Sequence, residues 1–435
     1  MSIQKKILVN ASVLASGSMG SSILGLISFA LIARILSPEV FGVLALAQAF
    51  STMVDRLINF QSWQAIIKFG SDLIEKNEQK GFIRLLQFGF LIDLLTAALA
   101  CLIGVMSPYI VGSLLDWTPE KIQITSLFSL VIIFNIEGTP TAILRIFDRF
   151  KHFAIKDFIM AGTKLTLVII GYLLELGVWF FVSAIMVTQV LGYFYLIYSS
   201  LKVIRNEKIN VFSNFKSFRF KFLDESFKGI WPFVWTTNIH GTVRMATLQL
   251  DTVVVDSVLG SSATGIYQVS KQFTKVFTQI SQSLYKSIYP ELTRIWAKRD
   301  VVLFKSTVKK FMMFGGVFGV FSWFVFLFLG KFIIIQTVGI EYIDSYQVTL
   351  FYMLGIVISI CAFPITPAVL ALGEAKIAFK VQAYATLFYF LLIYPLLVNY
   401  GLIGAGMAYM FFYIAWSLIM ILYFKKKLKF KLNTI

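Results

Sequence analysis

The chain has 435 residues, of which 58% are hydrophobic and only 14% charged, with a formal net charge of +17 and a mean hydropathy of +0.80. Soluble domains carry roughly 25% charged residues, so this composition excludes an ordinary globular enzyme and points to an all-α integral membrane protein. The positive balance does not argue for nucleic acid. Most lysines and arginines fall in short breaks between apolar segments, where the positive-inside rule and anionic lipid headgroups account for them.

Spans of about 20 apolar residues are expected near 13–36, 41–67, 83–107, 122–146, 155–175 and 178–201, and again near 230–258, 263–289, 309–335, 345–372, 377–399 and 401–424. The N-terminus is basic and then apolar, and with no small-residue cleavage site it reads as a retained first span. No segment has the alternating pattern of a membrane barrel, so helices are the expected spanning form. The expected organisation is a six-helix bundle over 1–201, a basic cytoplasmic linker over 202–229, and a second six-helix bundle over 230–435 with a basic tail. The linker mixes Lys and Arg with Phe, which also suits an amphipathic segment on the inner membrane surface. Of the cations outside the spans, only Arg34, Lys121 and Lys331 fall near the outer side, which puts both termini in the cytoplasm. An even number of spans per half makes the two bundles parallel repeats. Cys101 and Cys361 both lie in apolar runs and suggest neither a disulfide nor a metal site.

A shift of 223 residues lays Leu36, Gly42 and Phe50 on Leu259, Gly265 and Phe273. It also lays Gln48, Thr52 and Arg56 on Lys271, Lys275 and Gln279, so both copies carry a polar stripe at i, i+4, i+8 along one helical face. Five cations fall inside spans: Arg56, Lys164, Arg244, Lys271 and Lys275. At about 2.5–3.5 kcal/mol each on insertion scales, they are expected to face the interior or a water-filled cavity, although Lys164 is also placed to snorkel. The intramembrane acids are Asp55, Asp93, Glu137 and Asp251. Asp55 and Arg56 are adjacent and are expected to point to different faces without neutralising each other. His240, Arg244 and Asp251 share a face of the seventh span, which suits either a proton or cation relay or a structural Arg–Asp pair. Glu137 is followed by Gly138-Thr139-Pro140, and Pro364 and Pro367 interrupt the tenth span, so both spans are expected to kink. There is no P-loop, HExxH, GxSxG or His/Cys ligand cluster, so neither an enzyme nor an ATP-driven pump is expected. His152 is expected to be solvated in a basic loop.

The segments ARILSPEVFGVLALAQAF (33–50), GTPTAILRIFDRFK (138–151) and QLDTVVVDSVLGSSATGIYQVSKQF (249–273) resemble the multidrug/oligosaccharidyl-lipid/polysaccharide exporter superfamily. Within it the chain is most similar to the bacterial polysaccharide and O-antigen flippases. The resemblance implies a MATE-like exporter fold of twelve transmembrane helices, set in a bacterial cytoplasmic (inner) membrane. It implies a substrate made of an oligosaccharide repeat on a polyprenyl (undecaprenyl) pyrophosphate, moved from the inner to the outer leaflet, with no cofactor beyond a membrane potential or a proton or ion gradient. It further implies membrane lipids and glycan polymerase machinery as partners. Carried onto this sequence, headgroup binding falls on Arg56, Arg244, Lys271, Lys275 and Lys164, and coupling or ion pairing on Asp55, Glu137, His240 and Asp251. A drug or cation antiporter of the same superfamily is the alternative. It would be expected to bind its substrate mainly with carboxylates and aromatics, whereas here cations outnumber acids inside the spans.

Overall fold

The computed structural model describes residues 20–60, 62–211, 227 and 229–432. Within its helices, the side chains of residues 239–248, 276, 278–287, 290, 375 and 429–432 are not described. The expected start of the first span at 13 and most of the linker therefore lie outside the described residues, as do the side chains of His240, Arg244 and Gln279.

The described residues are helical and contain no strand. Before the linker come α1 (Gly20–Ile35), α2 (Pro38–Ile58), α3 (Trp63–Glu75), α4 (Gln79–Leu114), α5 (Pro119–Ser129), α6 (Gly138–Ile146), α7 (Lys151–Leu173) and α8 (Val178–Asn206). After the linker come α9 (Ile230–Ala297), α10 (Val301–Thr337), α11 (Ser345–Ala362), α12 (Ile365–Ala371), α13 (Ala375–Tyr400) and α14 (Leu402–Leu432). The starts follow local chemistry. The Ser37 hydroxyl accepts from the Val40 N–H and Pro38 opens α2; Thr118 caps α5 ahead of Pro119; Asp300 accepts from the Leu303 N–H at the head of α10.

Among the described residues eight spans, two of them joining two helices, are long and apolar enough to cross a membrane. The described part of the first expected pass, Gly20–Ile35, is too short, and the passes on α7 and α9 carry several charged residues. Helix α7 carries Lys156, Asp157 and Lys164, and α9 carries Asp251, Asp256, Lys271 and Lys275. Three expected spans prove to be interrupted. Span 41–67 is α2 and α3, leaving the helix at Asn59 and Phe60. Span 122–146 is α5, a 3-10 turn over Leu130–Phe134, and α6, with the break at Asn135–Glu137. Span 345–372 is α11 and α12, broken at Phe363–Pro364 as the prolines require. Spans 230–258 and 263–289 are the two arms of α9, two helices that meet at a turn at Gly260, whose φ of 83° suits glycine. At the C-terminus α14 continues well past the expected end at 424.

The chain divides into two compact units, Met1–Leu36 with Val43–Leu250, and Ser37–Gly42 with Asp251–Ile435. The boundary falls within α9 because the first turns of that helix pack into the first unit's core. Ile230 and Val234 join Ile66 and Leu85, Ala142 of α6 and Leu196 of α8, while Trp231 meets Phe88 and Trp235 meets Phe60 edge to face. The second unit's core gathers Tyr267, Val348, Tyr352, Ile356, Tyr389 and Ala408. On α10, Gly315 and Gly319 lie close against α11, while Phe314, Phe321 and Phe328, two turns apart on the other side, are exposed. An exposed aromatic stripe of this kind suits a lipid-facing surface.

Inside the second unit the first turn of α2 crosses α9 just beyond Gly260. A Cβ on Gly42 would overlap the Ser261 carbonyl oxygen, and one on Gly265 would overlap that of Pro38. Residues 38 and 42 become 261 and 265 under the 223-residue shift, so the contact is reciprocal between the two repeat copies. In an ordinary helix Gly→Ala stabilises by about 0.5–1 kcal/mol. At this crossing the sign should reverse: Gly42→Ala and Gly265→Ala should each cost about 1–3 kcal/mol by overpacking. Gly162→Ala on α7, where nothing lies within 4 Å of the added methyl, should not. Thermal midpoints in detergent for the three variants test this, and equal midpoints would remove the crossing from the account.

Candidate functional site

The two broken passes of the first unit meet through side chains. Asn59 Nδ2 donates to Asp55 Oδ1 at 2.9 Å and to the Asn135 carbonyl at 3.0 Å, and Asn135 Nδ2 donates to Asp55 Oδ2 at 2.8 Å. The Thr96 hydroxyl of α4 donates to Asn59 Oδ1 at 3.0 Å and accepts from the Phe60 N–H at 3.2 Å. One turn away Asp93 is buried, and its Oδ2 accepts from the Thr139 N–H at 2.6 Å and the Thr139 hydroxyl at 2.8 Å. Asp93 thus caps α6 from a neighbouring helix. Gly138 is required here, because a Cβ would press on Asp93 Oδ1 and Ser62 Oγ. Side chains thus satisfy the Phe60 and Thr139 N–H groups and the Asn135 carbonyl at the two breaks, as the interior of a membrane demands.

Against these breaks lies a cavity of about 290 Å³. Its charged lining is Arg56 from α2, Arg145 from α6, Lys156 from α7 and Glu137 from the break before α6. Three cations against one carboxylate leave a formal excess of two positive charges. Asn59, Asn135 and Thr141 add neutral donors and acceptors, and Phe60, Trp63 and Phe153 supply aromatic faces. The Arg145 guanidinium lies 4.2 Å from the centre of the Trp63 ring and 5.8 Å from that of Phe153. Stacking of this kind fixes the guanidinium plane and leaves its N–H edge to bind a ligand. Lys156 makes an ion pair with Glu137 and sits 5.6 Å from the Tyr193 ring centre. The gap between Arg56 Nε and Asp55 Oδ2 is 3.9 Å, so these neighbours do share charge, contrary to the expectation from helical geometry. The helix ends two residues later, at Ile58.

Of the cations singled out in the sequence, Arg56 lies in this cavity. Lys164 is half-buried on α7 and does not line it. Lys271 belongs to the second unit, where its Nζ donates to Asp251 Oδ1 at 2.8 Å and to the Thr252 hydroxyl at 3.0 Å. The Tyr267 hydroxyl donates to the other Asp251 oxygen at 2.8 Å. Asp251 is thus ion-paired to Lys271. Lys275 is exposed on α9.

Sequence reasoning missed Arg145 and Lys156, which it counted as loop cations. Glu137 held the available signal: an intramembrane acid needs a partner, and Lys156 lies on the next helix. His152 was also misplaced. It is partly buried, its Nδ1 lies 2.9 Å from the Tyr195 hydroxyl, and burial beside Lys151, Arg149 and Lys202 pushes its pKa down. Both cysteines are unbridged.

Residues 7–296, which include this cavity and the Asp251–Lys271 pair, match the model of the family described as polysaccharide biosynthesis protein. The chain belongs to that family. It is 28% identical over 348 residues to the inner membrane protein YghQ of Escherichia coli (strain K12), covering 79% of this chain and 95% of that protein. Solved structures that share its fold include these two. One is a multidrug resistance MATE family transporter of the MOP superfamily in an inward-facing conformation, with TM-score 0.71 and 11% identity over 96% of this chain and 98% of that one. The other is the lipid II flippase MurJ in an inward closed conformation, with TM-score 0.68 and 17% identity over 95% of this chain and 88% of that one. The protein is therefore a multi-pass membrane protein of the MATE-like exporter fold, in a polysaccharide biosynthesis family.

The pairing in the second unit is open to test. Removing one partner of a buried ion pair strands the other charge, at about 3–5 kcal/mol. Lys271→Met should therefore lower the thermal midpoint clearly, and the double variant Lys271→Met/Asp251→Asn should recover much of the loss. A single variant as stable as the parent would mean that Lys271 is not held by Asp251.

Proposed function

We propose that the protein is a flippase that moves an oligosaccharide repeat unit, linked to a polyprenyl (undecaprenyl) pyrophosphate, from the inner to the outer leaflet of a bacterial inner membrane. It would serve O-antigen or other surface polysaccharide biosynthesis. Membership of the polysaccharide biosynthesis family supports the saccharide part of this reading. The observation that carries the anionic part is the convergence of Arg56, Arg145 and Lys156 on one cavity with a single lining carboxylate. A pyrophosphate diester carries about two negative charges, which matches the formal excess, and Arg and Lys bind such groups through charge-assisted hydrogen bonds. The aromatic and amide groups beside the cations suit the sugar next to the pyrophosphate.

In this reading the prenyl tail stays in lipid while the headgroup passes through a cavity opened alternately to each side. With both termini cytoplasmic, outward movement of two negative charges gains about 4–5 kcal/mol per 100 mV, so the membrane potential supplies part of the drive. Arg244 and Lys275 are further candidates along the headgroup's path, Lys164 is a lesser one, and a glycan polymerase would receive the product. An organic cation would meet three like charges in this cavity, so the antiporter reading lacks support from its lining.

The test is headgroup translocation in proteoliposomes loaded with a labelled prenyl-pyrophosphate oligosaccharide. Arg56→Ala, Arg145→Ala and Lys156→Ala should each reduce the rate at least roughly tenfold, the size expected for one lost charged hydrogen bond. Arg145→Lys should not restore it, because an ammonium lacks the planar face that stacks on Trp63. Unimpaired transport by the triple variant would rule out the cavity, and counterflow of an organic cation instead would favour the antiporter.

A further inference from the structure

The cavity carries its own anion. Glu137 sits at the head of α6, where an acidic side chain ordinarily caps the free N–H groups of the first turn. It makes no such cap. Asp93 reaches across from α4 and takes the Thr139 N–H instead, which leaves the Glu137 carboxylate to pair with Lys156. The exposures of the two side chains give the order of approach. Glu137 is 27% exposed and Lys156 13%, so the carboxylate lies on the open side of the ammonium. Asp55 has no comparable freedom: its side chain is 9% exposed and both oxygens are held by the Asn59 and Asn135 amides. An anion that binds Lys156 from the cavity competes with Glu137 for the ammonium.

On the reading of the cavity as an anion site, we infer that Glu137 is its built-in counter-ion, exchanged for the substrate's pyrophosphate on binding and returned to Lys156 on release. The exchange keeps Lys156 paired in both states, so its charge is never stranded in a low-dielectric interior. It also lowers affinity deliberately. Binding must break the Glu137–Lys156 pair, and re-forming that pair helps to expel the headgroup. Glu137 is thus a positioning and release residue that trades tight binding for turnover.

The charge-neutral, isosteric variant Glu137→Gln tests this on the purified full chain, with inorganic pyrophosphate and undecaprenyl pyrophosphate in detergent micelles as calorimetric probes. The variant should bind the pyrophosphate group roughly tenfold more tightly, the size of one charged hydrogen bond no longer broken on binding. It should also flip lipid-linked substrate more slowly, whereas a purely structural carboxylate would give no gain in affinity on removal. A gain for the prenyl probe alone assigns the exchange to the lipid headgroup; a gain for both assigns it to any pyrophosphate. Glu137→Asp, which keeps the charge but draws it back by one methylene, should fall between parent and Glu137→Gln and serves if the latter does not fold. Glu137→Gln/Lys156→Gln should lose the gain. Parent binding with no gain in either variant would overturn the counter-ion role and leave the cavity reading standing. If neither parent nor variants bind a pyrophosphate probe, both fall.

Discussion

Everything in the first unit depends on how a membrane helix is allowed to break. A freed peptide group costs several kcal/mol in hydrocarbon, so an interruption survives only where side chains replace the lost bonds. Here two interruptions are set against each other and share their replacements. Asp55, Asn59 and Asn135 form one set, and Asp93, Thr139 and Ser62 the other. The breaks separate α3 from α2 and α6 from α5, and Arg56, Arg145 and Glu137 beside them line one cavity. The cavity is thus a by-product of satisfied backbone.

The same accounting explains what the sequence made legible. Hydropathy and loop charge place the passes because the bilayer imposes both patterns on any chain that crosses it. Gly138-Thr139-Pro140 and Pro364 mark two breaks because proline removes a donor. The break after Ile58 contains neither glycine nor proline in its described part. It is held by long-range bonds, from Asn59 to Asn135 and from Asn135 to Asp55, and no local pattern announces such a pairing. The crossing of Gly42 and Gly265 was readable as a coincidence of two glycines under one shift. Its meaning, a reciprocal approach to the carbonyls of Ser261 and Pro38, needed coordinates.

The site was half legible. Counting cations inside spans found Arg56, yet it also promoted Lys271, whose charge is committed to Asp251 and Thr252. Arg145 and Lys156 were lost to the loops because they lie near helix ends, where a tally of topology expects cations. Sequence separation says little about which acid a lysine answers. Lys156 answers Glu137 from the next helix, and Lys271 answers Asp251 across the turn at Gly260.

A better rule begins from the acids. Each intramembrane carboxylate has a fixed demand, and its neighbours reveal how that demand is met. Asp93 is met by an N–H and hydroxyls, and Asp55 chiefly by amides with Arg56 nearby. Asp251 is met by a lysine and a tyrosine in a buried cluster with nothing left over. Glu137 alone of the four is met by a lysine at an open cavity wall that also holds two arginines. A carboxylate satisfied in the core is structure, whereas one satisfied at the edge of a cationic cavity can be exchanged for another anion. On that difference rests the separation of the two lysine–carboxylate pairs, one that holds the second unit together and one that a substrate can open.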